Sequence, residues 1–423
     1  MIFFYRLLTN ILYPVLIIFI YLRKIFNKED KNRYKEKIFP SSFDVKKDDK
    51  KKLIWFHAAS IGEVQSIFPL VEKINEEKKD LNFLITTVTL SAGNIVKKKL
   101  NKFENVTHRY FPIDILFIIK RFLEKWKPDL IIFVDSEIWP NLIFEIKKGN
   151  IPVILINGRI TKKTFNKWML TPKFAKMIFN KFDLCLAASK ESEENLKRLN
   201  AKNLKFIGNI KFTGKLQKSE LVDKNLEILK SKTSWCAAST HRGEEIICLK
   251  THISLKDIYK DVITIIIPRH INRSLEISQL CKKYKLSFQI LNENETIQDS
   301  KEIIIVNSFG SLSKFYNYSK NIFIGKSMIK QLEKVGGQNP IEAAKLGCKI
   351  YHGPYIYNFK EIYDLLRSYK ISNEIHKDID LFNRLAVDLK DSDGEQNKMS
   401  ESIKDLGQKI LNKTNTEINN FLI

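Results

Sequence analysis

The chain has 423 residues, of which 44% are hydrophobic and 28% charged, and its formal net charge is +24 at pH 7. This length exceeds the size at which one hydrophobic core usually stops growing, so we expect two domains, and the composition excludes a disordered chain. The charge suits an anionic partner such as nucleic acid, acidic lipid or a phosphorylated substrate, or it reflects a lysine-rich composition. Five scattered cysteines without C-x-x-C spacing argue against a zinc site or a disulfide framework, so we predict no metal.

The first predicted element is an apolar helix over residues 2–22, about the length that crosses a bilayer. Arg6 lies near one end, from where its side chain can reach the interface, and Pro14 bends such a helix without forbidding it. The basic residues that follow, as far as Lys37, predict a cytoplasmic body in contact with anionic lipid. A signal peptide would carry a small-residue cleavage site after the run, and none follows. We predict a membrane anchor with its basic flank over residues 1–38, either spanning the bilayer or lying in its interface.

From residue 52 onwards, short apolar runs alternate with amphipathic stretches, which predicts βαβ units and parallel sheets. In the first half of the chain the predicted strands are 53–59, 83–89, 130–135, 153–157, 184–188 and 206–208. In the second half they are 235–238, 262–268, 303–306, 322–324 and 349–352. Helical periodicity appears over 63–76 and 92–99, a polar linker separates the halves at 215–232, and a polar break at 391–400 precedes a last helix.

Polar clusters follow several strands of the first half, at the ends where open parallel sheets bind ligands. Glu63 begins the helix after the first strand, where it is either a functional group or simply a favourable first-turn residue. Two carboxylates, Asp135 and Glu137, follow a buried strand and either act in the site or cap the next helix, which Pro140 begins. Lys211 follows the last strand of this half, where a cation can meet a phosphate.

Polar clusters recur in the second half. Residues 239–245 offer small side chains and a helix N-terminus, an arrangement typical of anion sites. Arg269 directly follows a strand of Ile and Val, and the glycine pair 336–337 precedes a helix with Glu342 in its first turn. Each signal is moderate alone, and their order along the chain is more specific.

Taken in that order, the motifs resemble those of the Kdo (3-deoxy-D-manno-octulosonic acid) transferases. The matching stretches between residue 52 and about 360 are FHAASIGEV, DSEIWPN, INGRI, GNIKF, ASTHRGEE, IPRH and GGQNPIEAAKLG followed by GPYIYNF. The resemblance implies an α/β fold of the GT-B type, with two Rossmann-like lobes facing across a cleft and an N-terminal membrane-anchor helix. The predicted segments are the anchor 1–38, an acceptor-binding lobe 39–214, a nucleotide-sugar lobe 215–390 and a helical tail 391–423.

The resemblance implies an inverting glycosyltransferase that moves Kdo from CMP-Kdo to the lipid A precursor, lipid IVA, without a metal or other cofactor. The implied location is the cytoplasmic face of the bacterial inner membrane, and nucleic acid is not an expected partner. By motif position the catalytic base is Glu63, and the charged groups that steady the transition state are Asp135 and Lys211. The implied nucleotide-binding residues are Pro268, Arg269, Gly310, Ser311, Leu312, Asn339, Pro340, Ile341 and Glu342.

The chain departs from the family pattern at several positions. Asp135 stands where the family usually has Glu, and Ser311 replaces the acid of a Gly-Glu-Leu/Met motif. Gln338 replaces a His, Thr213 an Asp, and Lys326 the second residue of a Gly-Gly pair. Two alternatives stay open: a GT-B glycosyltransferase with a different nucleotide sugar, and a non-catalytic, basic, membrane-attached binding protein. The second alternative does not account for polar clusters at the ends of alternating strands.

Overall fold

The computed structural model describes residues 1–43, 48, 50–216, 221, 223–308, 310, 312–390 and 393–422, with the backbone alone at 223 and 393–396. The chain forms two compact units. The first comprises Met1–Lys215 and Leu406–Ile423, and the second comprises Leu216–Asp405. Each unit is built on a seven-stranded parallel sheet.

Before the chain enters the second unit, the described residues of the first unit form seven strands and eight α-helices. The strands are β1 (Lys52–His57), β2 (Leu81–Thr87), β3 (Val106–Tyr110), β4 (Leu130–Val134), β5 (Val153–Gly158), β6 (Leu184–Ala187) and β7 (Leu204–Phe206). The helices are α1 (Ile2–Ile25), α2 (Ile61–Glu77), α3 (Leu90–Leu100), α4 (Leu116–Trp126), α5 (Pro140–Lys148), α6 (Lys162–Trp168), α7 (Pro172–Phe179) and α8 (Lys190–Arg198). The sheet order is β3-β2-β1-β4-β5-β6-β7, so the strand order reverses between β1 and β4, where open α/β sheets bind ligands.

Both faces of this sheet are covered, because its central strands are nearly continuous apolar runs. Trp55 and Phe133 pack on one face in a core that includes α4, α5 and α7. Phe56 and Ile132, the neighbours of these residues along the strands, pack on the opposite face in a core that includes α2 and α3. The alternation follows from the two-residue period of a β-strand.

The second unit repeats this design. Its strands are β8 (Ser234–Thr240), β9 (Ile263–Pro268), β10 (Phe288–Leu291), β11 (Ile303–Val306), β12 (Asn321–Ile324), β13 (Lys349–His352) and β14 (Ser372–Glu374). Its helices are α9 (Asp223–Ser231), α10 (Glu244–Lys256), α11 (Ser274–Lys283), α12 (Leu312–Tyr316), α13 (Ile341–Lys345), α14 (Lys360–Ser368), α15 (Asp378–Asp388) and the first part of α16 (Asp393–Asn419). The sheet order is β10-β11-β9-β8-β12-β13-β14, which reverses between β8 and β12.

Short 3-10 helices complete the chain. They are Arg33–Lys37, Pro40–Ser42, Ile210–Thr213, Ile271–Arg273, Lys330–Leu332 and Tyr357–Phe359.

The structure differs from the predicted elements at edge strands and in two connecting segments. The sequence pattern does not predict β3, β10 or β14, because edge strands carry polar residues, such as His108 and Arg109 in β3, that interrupt an apolar run. β7 ends at Phe206, where the predicted strand begins. The expected linker at 215–232 contains α9, and the expected break at 391–400 is helical from Asp393 onwards. The Glu, Gln, Lys and Met residues of that break are good helix formers, which explains the difference.

The helix of the predicted anchor and the helix of the predicted tail are both parts of the compact units. α1 is part of the first unit, and α16 begins in the second unit and joins the first at Leu406. Ile418 of α16 packs into the core on one face of the first sheet. Glu77 of α2 accepts hydrogen bonds from Asn415 and Asn419, which ties the end of α16 to that unit. The first segment of the first unit ends at Lys215.

Candidate active site

Glu63 lies in the first turn of α2, directly after β1. The Ser60 hydroxyl caps this helix by accepting the Glu63 N–H at 3.5 Å, and it donates to Glu63 Oε1 at 2.6 Å. The Ala59 N–H donates to Glu63 Oε2 at 2.8 Å, and the Glu63 side chain is buried. Glu63 is therefore a first-turn residue of α2, as one alternative expected, and its hydrogen bonds also fix its carboxylate at the carboxyl end of β1.

Asp135 follows β4, the strand next to β1, and has a φ of +62°, a region that Asp tolerates better than most residues. Lys211 Nζ donates to Asp135 Oδ2 at 2.7 Å, and Asn157 Nδ2 donates to Oδ1 at 2.6 Å. Asn157 Oδ1 accepts the Ile210 N–H at 2.9 Å, which fixes the 3-10 helix that carries Lys211. The structure thus joins Asp135 and Lys211 in a largely buried ion pair.

The electrostatic environment of Glu63 reflects these neighbours. Burial is the largest cause of a pKa raised to about 7, and the charge of Asp135 adds to it. Glu137 contributes in the same direction, while the hydrogen bonds from Ser60 and Ala59 oppose the rise. Carboxylates from the ends of β1 and β4 therefore meet where the strand order reverses. A carboxyl group with a pKa near neutral pH is suited to general acid–base chemistry.

His57, to which sequence reasoning gives no role, also lies in this site. It ends β1 with its side chain fully buried, and its ring stacks on Phe111 at a centroid distance of 3.9 Å. Its Nδ1 lies 2.9 Å from Thr86 Oγ1, and its Nε2 lies 3.5 Å from Glu137 Oε2. Trp139 Nε1 donates to the same Glu137 oxygen at 3.1 Å. The sequence signal for His57 is weak, because a lone His at a strand end is more often structural.

The implied nucleotide-binding residues lie at the carboxyl edge of the second sheet. Pro268 ends β9, and Arg269 follows it with an exposed side chain. Gly310, after β11, has a φ of +75°, and Leu312 begins α12. Ser311, between them, lies outside the described residues.

Asn339, Pro340, Ile341 and Glu342 form the start of α13. Asn339 Oδ1 accepts the Ile341 N–H at 3.1 Å, and Pro340 is the residue immediately before the helix. Burial raises the pKa of Glu342, while a hydrogen bond from Ser313 of α12 opposes the rise. The structure thus brings the segment after β11 together with the segment that leads into β13. A common pocket for Glu342 and the β9 end stays a prediction.

Further basic groups lie where the strand order of the second sheet reverses. Lys326 follows β12 with a φ of +59°, a region that glycine adopts more readily. Buried Glu244 fixes this loop by accepting the backbone N–H groups of residue 241 and of residues 326–328. The rings of His241 and His270 are 6.0 Å apart. Burial lowers the pKa of His241, and the charges of Lys326 and His270 lower it further. Among these groups, the Lys326 ammonium and the exposed Arg269 guanidinium suit an anionic ligand.

Within the described part of the chain, no group of three or more His, Cys, Asp and Glu residues is arranged to hold a metal ion. The five cysteines are buried and form no disulfide. Burial raises the pKa of the Cys281 thiol to about 12, so this group is a poor thiolate ligand or nucleophile.

Comparison with known proteins identifies the family. The family profile described as 3-Deoxy-D-manno-octulosonic-acid transferase (kdotransferase) matches residues 32–214. The 3-deoxy-D-manno-octulosonic acid transferase of Rickettsia bellii (strain RML369-C) is 32% identical over 416 residues, 97% of each chain. The chain belongs to the Kdo transferase family. The probable mitochondrial 3-deoxy-D-manno-octulosonic acid transferase of Arabidopsis thaliana is 33% identical over 372 residues, 85% of this chain and 80% of that protein.

The fold also matches solved structures. A putative UDP-N-acetylglucosamine 2-epimerase from Listeria monocytogenes aligns with a TM-score of 0.59 and 14% sequence identity over 88% of this chain and 97% of that one. At this identity the likeness concerns the fold alone. With its two parallel sheets and an N-terminal apolar helix, this Kdo transferase family member has the α/β fold of the GT-B type that the motifs predict.

Proposed function

We propose that the protein transfers Kdo from CMP-Kdo to lipid IVA, the phosphorylated lipid A precursor, in lipopolysaccharide synthesis. The observation that carries the proposal is the buried Glu63 carboxylate beside the Asp135–Lys211 ion pair, in a member of the Kdo transferase family. Both substrates are anionic, and the net charge of +24 favours their encounter with the protein.

Glu63 is the general base of the proposed reaction. The acceptor hydroxyl oxygen forms a bond to the anomeric carbon of Kdo, and the proton of that hydroxyl passes to Glu63. The bond between the anomeric carbon and the CMP phosphate oxygen breaks, and its electron pair leaves with CMP. Because the pKa of Glu63 is about 7, the deprotonated carboxylate is available at neutral pH and still binds the transferred proton well.

Asp135 and Lys211 stabilise the charges that develop during this step. The Kdo ring gains positive character as the bond to the phosphate lengthens, and the Asp135 carboxylate offsets that charge. Lys211 Nζ, 2.7 Å from Asp135 Oδ2, pairs with this carboxylate and offers positive charge to the departing phosphate. Both side chains are mostly shielded from water, which strengthens their electrostatic effect.

The second unit binds the CMP part of the donor. The exposed Arg269 guanidinium binds the phosphate, and the Glu342 carboxylate accepts hydrogen bonds from the ribose hydroxyl groups. Thermal unfolding in the presence of CMP, UMP or UDP at matched concentrations tests this assignment. CMP is expected to raise the melting temperature most. A larger rise with UDP would contradict the CMP-Kdo donor and favour a different nucleotide sugar.

One face of α1 is bound to the first unit, which supports attachment to the membrane surface. The Tyr5 hydroxyl donates to Asp114 Oδ2 at 2.9 Å, and Arg6 donates to Glu145 at 2.7 Å. Arg6 therefore pairs with Glu145 of the protein. The sequence instead predicts that its side chain reaches the membrane interface. Apolar side chains of the same face pack against the core of the unit, namely Ile2, Tyr5, Tyr13 and Leu16.

The opposite face of α1 forms an exposed apolar stripe. Its members are Phe3, Phe4, Leu7, Leu8, Ile11, Val15, Ile18, Phe19, Leu22 and Ile25. The 24-residue helix is long and apolar enough to span a bilayer, but a spanning helix would not be hydrogen-bonded along one face to other segments of the first unit. We therefore place α1 in the plane of the cytoplasmic interface, with its stripe in the lipid. Of the predicted basic flank, Lys28, Lys31 and Lys35 are exposed, whereas Lys37 is buried against Glu29.

A further inference from the structure

The two oxygens of the Glu137 carboxylate have different surroundings. Trp139 Nε1 and His57 Nε2 both approach Oε2, at 3.1 and 3.5 Å. Within the described part of the chain, Oε1 has no hydrogen-bond partner, and the Glu137 side chain is 24% exposed. Trp139 thus holds one oxygen of a carboxylate whose side chain is partly exposed.

Thr86 links the His57 ring to Trp55. Thr86 Oγ1 accepts the Trp55 indole N–H at 2.8 Å and lies 2.9 Å from His57 Nδ1. This contact orients the His57 ring, so that Nε2, its other nitrogen, lies 3.5 Å from Glu137 Oε2.

The His57 Nε2 atom is unusual for a buried ring. The nitrogen is inaccessible to water and has no partner within hydrogen-bonding geometry among the described residues. Burying a polar atom without a partner is unfavourable, and catalytic hydrogen bonds that are long in a free enzyme tighten when substrate binds. Phe111 stacks on the ring at a centroid distance of 3.9 Å.

We propose that Glu137 binds a hydroxyl group of the acceptor sugar through Oε1, and that Trp139 is a positioning residue that holds Oε2 beside the buried His57 ring. Glu137 lies in the loop after β4 that also carries Asp135, and its charge contributes to the raised pKa of Glu63. A sugar hydroxyl bound there lies beside the base that takes the proton of the attacking hydroxyl. This inference rests on the proposed Kdo transfer and adds an acceptor-binding residue to it.

Steady-state kinetics with lipid IVA and CMP-Kdo as varied substrates test this inference. Glu137→Gln keeps the shape of the side chain but removes a charge-assisted hydrogen bond of roughly 1.5–3 kcal/mol. We expect the KM for lipid IVA to rise by about 10- to 150-fold and the KM for CMP-Kdo to stay unchanged. Glu124→Gln, at an exposed carboxylate of α4, is the matched control.

Trp139→Phe tests the positioning role without disturbing the buried histidine. It removes one N–H donor and keeps an aromatic ring, so a smaller rise in the KM for lipid IVA is expected. Because Trp139 acts through Glu137, the double variant with Glu137→Gln should be no weaker than Glu137→Gln alone. An additive loss in the double variant would assign Trp139 a separate structural role and overturn the positioning claim.

The outcomes distinguish this inference from the function on which it rests. If the wild type transfers Kdo but Glu137→Gln leaves the KM for lipid IVA unchanged, the acceptor-binding role is wrong and the proposed function stands. An equal rise in both KM values would also overturn that role. If the folded wild type transfers no Kdo, both proposals fail. The thermal shift with CMP confirms in each case that a variant is folded.

Discussion

Replacing Glu63 by Gln is expected to remove catalysis and to stabilise the fold at alkaline pH. The pKa of Glu63 is raised from 4.5 to about 7 in the folded protein, so folded molecules bind the proton more tightly than unfolded ones. The resulting stability is fully present below about pH 4.5 and is lost as the pH rises through about 7. A pKa difference of about 2.5 corresponds to roughly 3 kcal/mol, which is the cost of keeping the buried carboxylate ionised.

Gln cannot take the acceptor proton, so transfer should fall by about 10²- to 10⁴-fold. Urea unfolding at pH 5 and pH 8.5 measures the stability of the variant and the wild type. The free energy of unfolding of Glu63→Gln should exceed that of the wild type by roughly 3 kcal/mol at pH 8.5 and by much less at pH 5. A stability difference that is independent of pH would refute the buried-carboxylate argument, and near-normal turnover would refute the base assignment.

Further predictions concern the pH profile, the nucleotide and the membrane. The kcat/KM for transfer should rise with pH through about 7, the pKa of Glu63, and a flat profile would contradict its role as base. Arg269→Ala should weaken CMP binding more at low salt than at high salt, since screening erodes a phosphate contact. Glu342→Ala should weaken CMP binding by about 10- to 150-fold at both salt concentrations. Calorimetric titration of CMP tests both variants. Ile11→Asp should lower flotation of the protein with anionic vesicles about 10-fold. The control Val387→Asp changes an exposed position of the second unit and should not lower flotation. Equal flotation of both variants would contradict the placement of α1.

The sequence predicted the buried parallel strands better than the edges of the sheets. The run 262–268 reads as a strand because both faces of β9 are covered, so its side chains are apolar except for Thr264, which is buried beside His252. β3 carries Thr107, His108 and Arg109 within five residues, and its strand character arises from pairing with β2. Such pairing depends on the tertiary structure and leaves no apolar run to recognise.

The sequence indicated which strand ends carry the candidate site residues, but not how these residues contact one another. Glu63 begins a predicted helix and Asp135 ends a predicted strand, whereas the ion pair joins Asp135 to a residue 76 positions away. The role of His57 depends on Thr86 and Glu137, which lie on other segments of the chain. The orientation of α1 was also open, because a spanning helix and an interfacial helix can have the same composition.

Mass spectrometry of lipid IVA after incubation with the purified protein and CMP-Kdo tests the central claim most directly. The account predicts lipid products heavier by one or more Kdo residues, with one CMP released for each Kdo transferred. The Glu63→Gln variant, folded and able to bind CMP, should leave the lipid nearly unmodified. Unchanged lipid with the folded wild type would contradict the account, as would a glycolipid that forms only with a different nucleotide sugar.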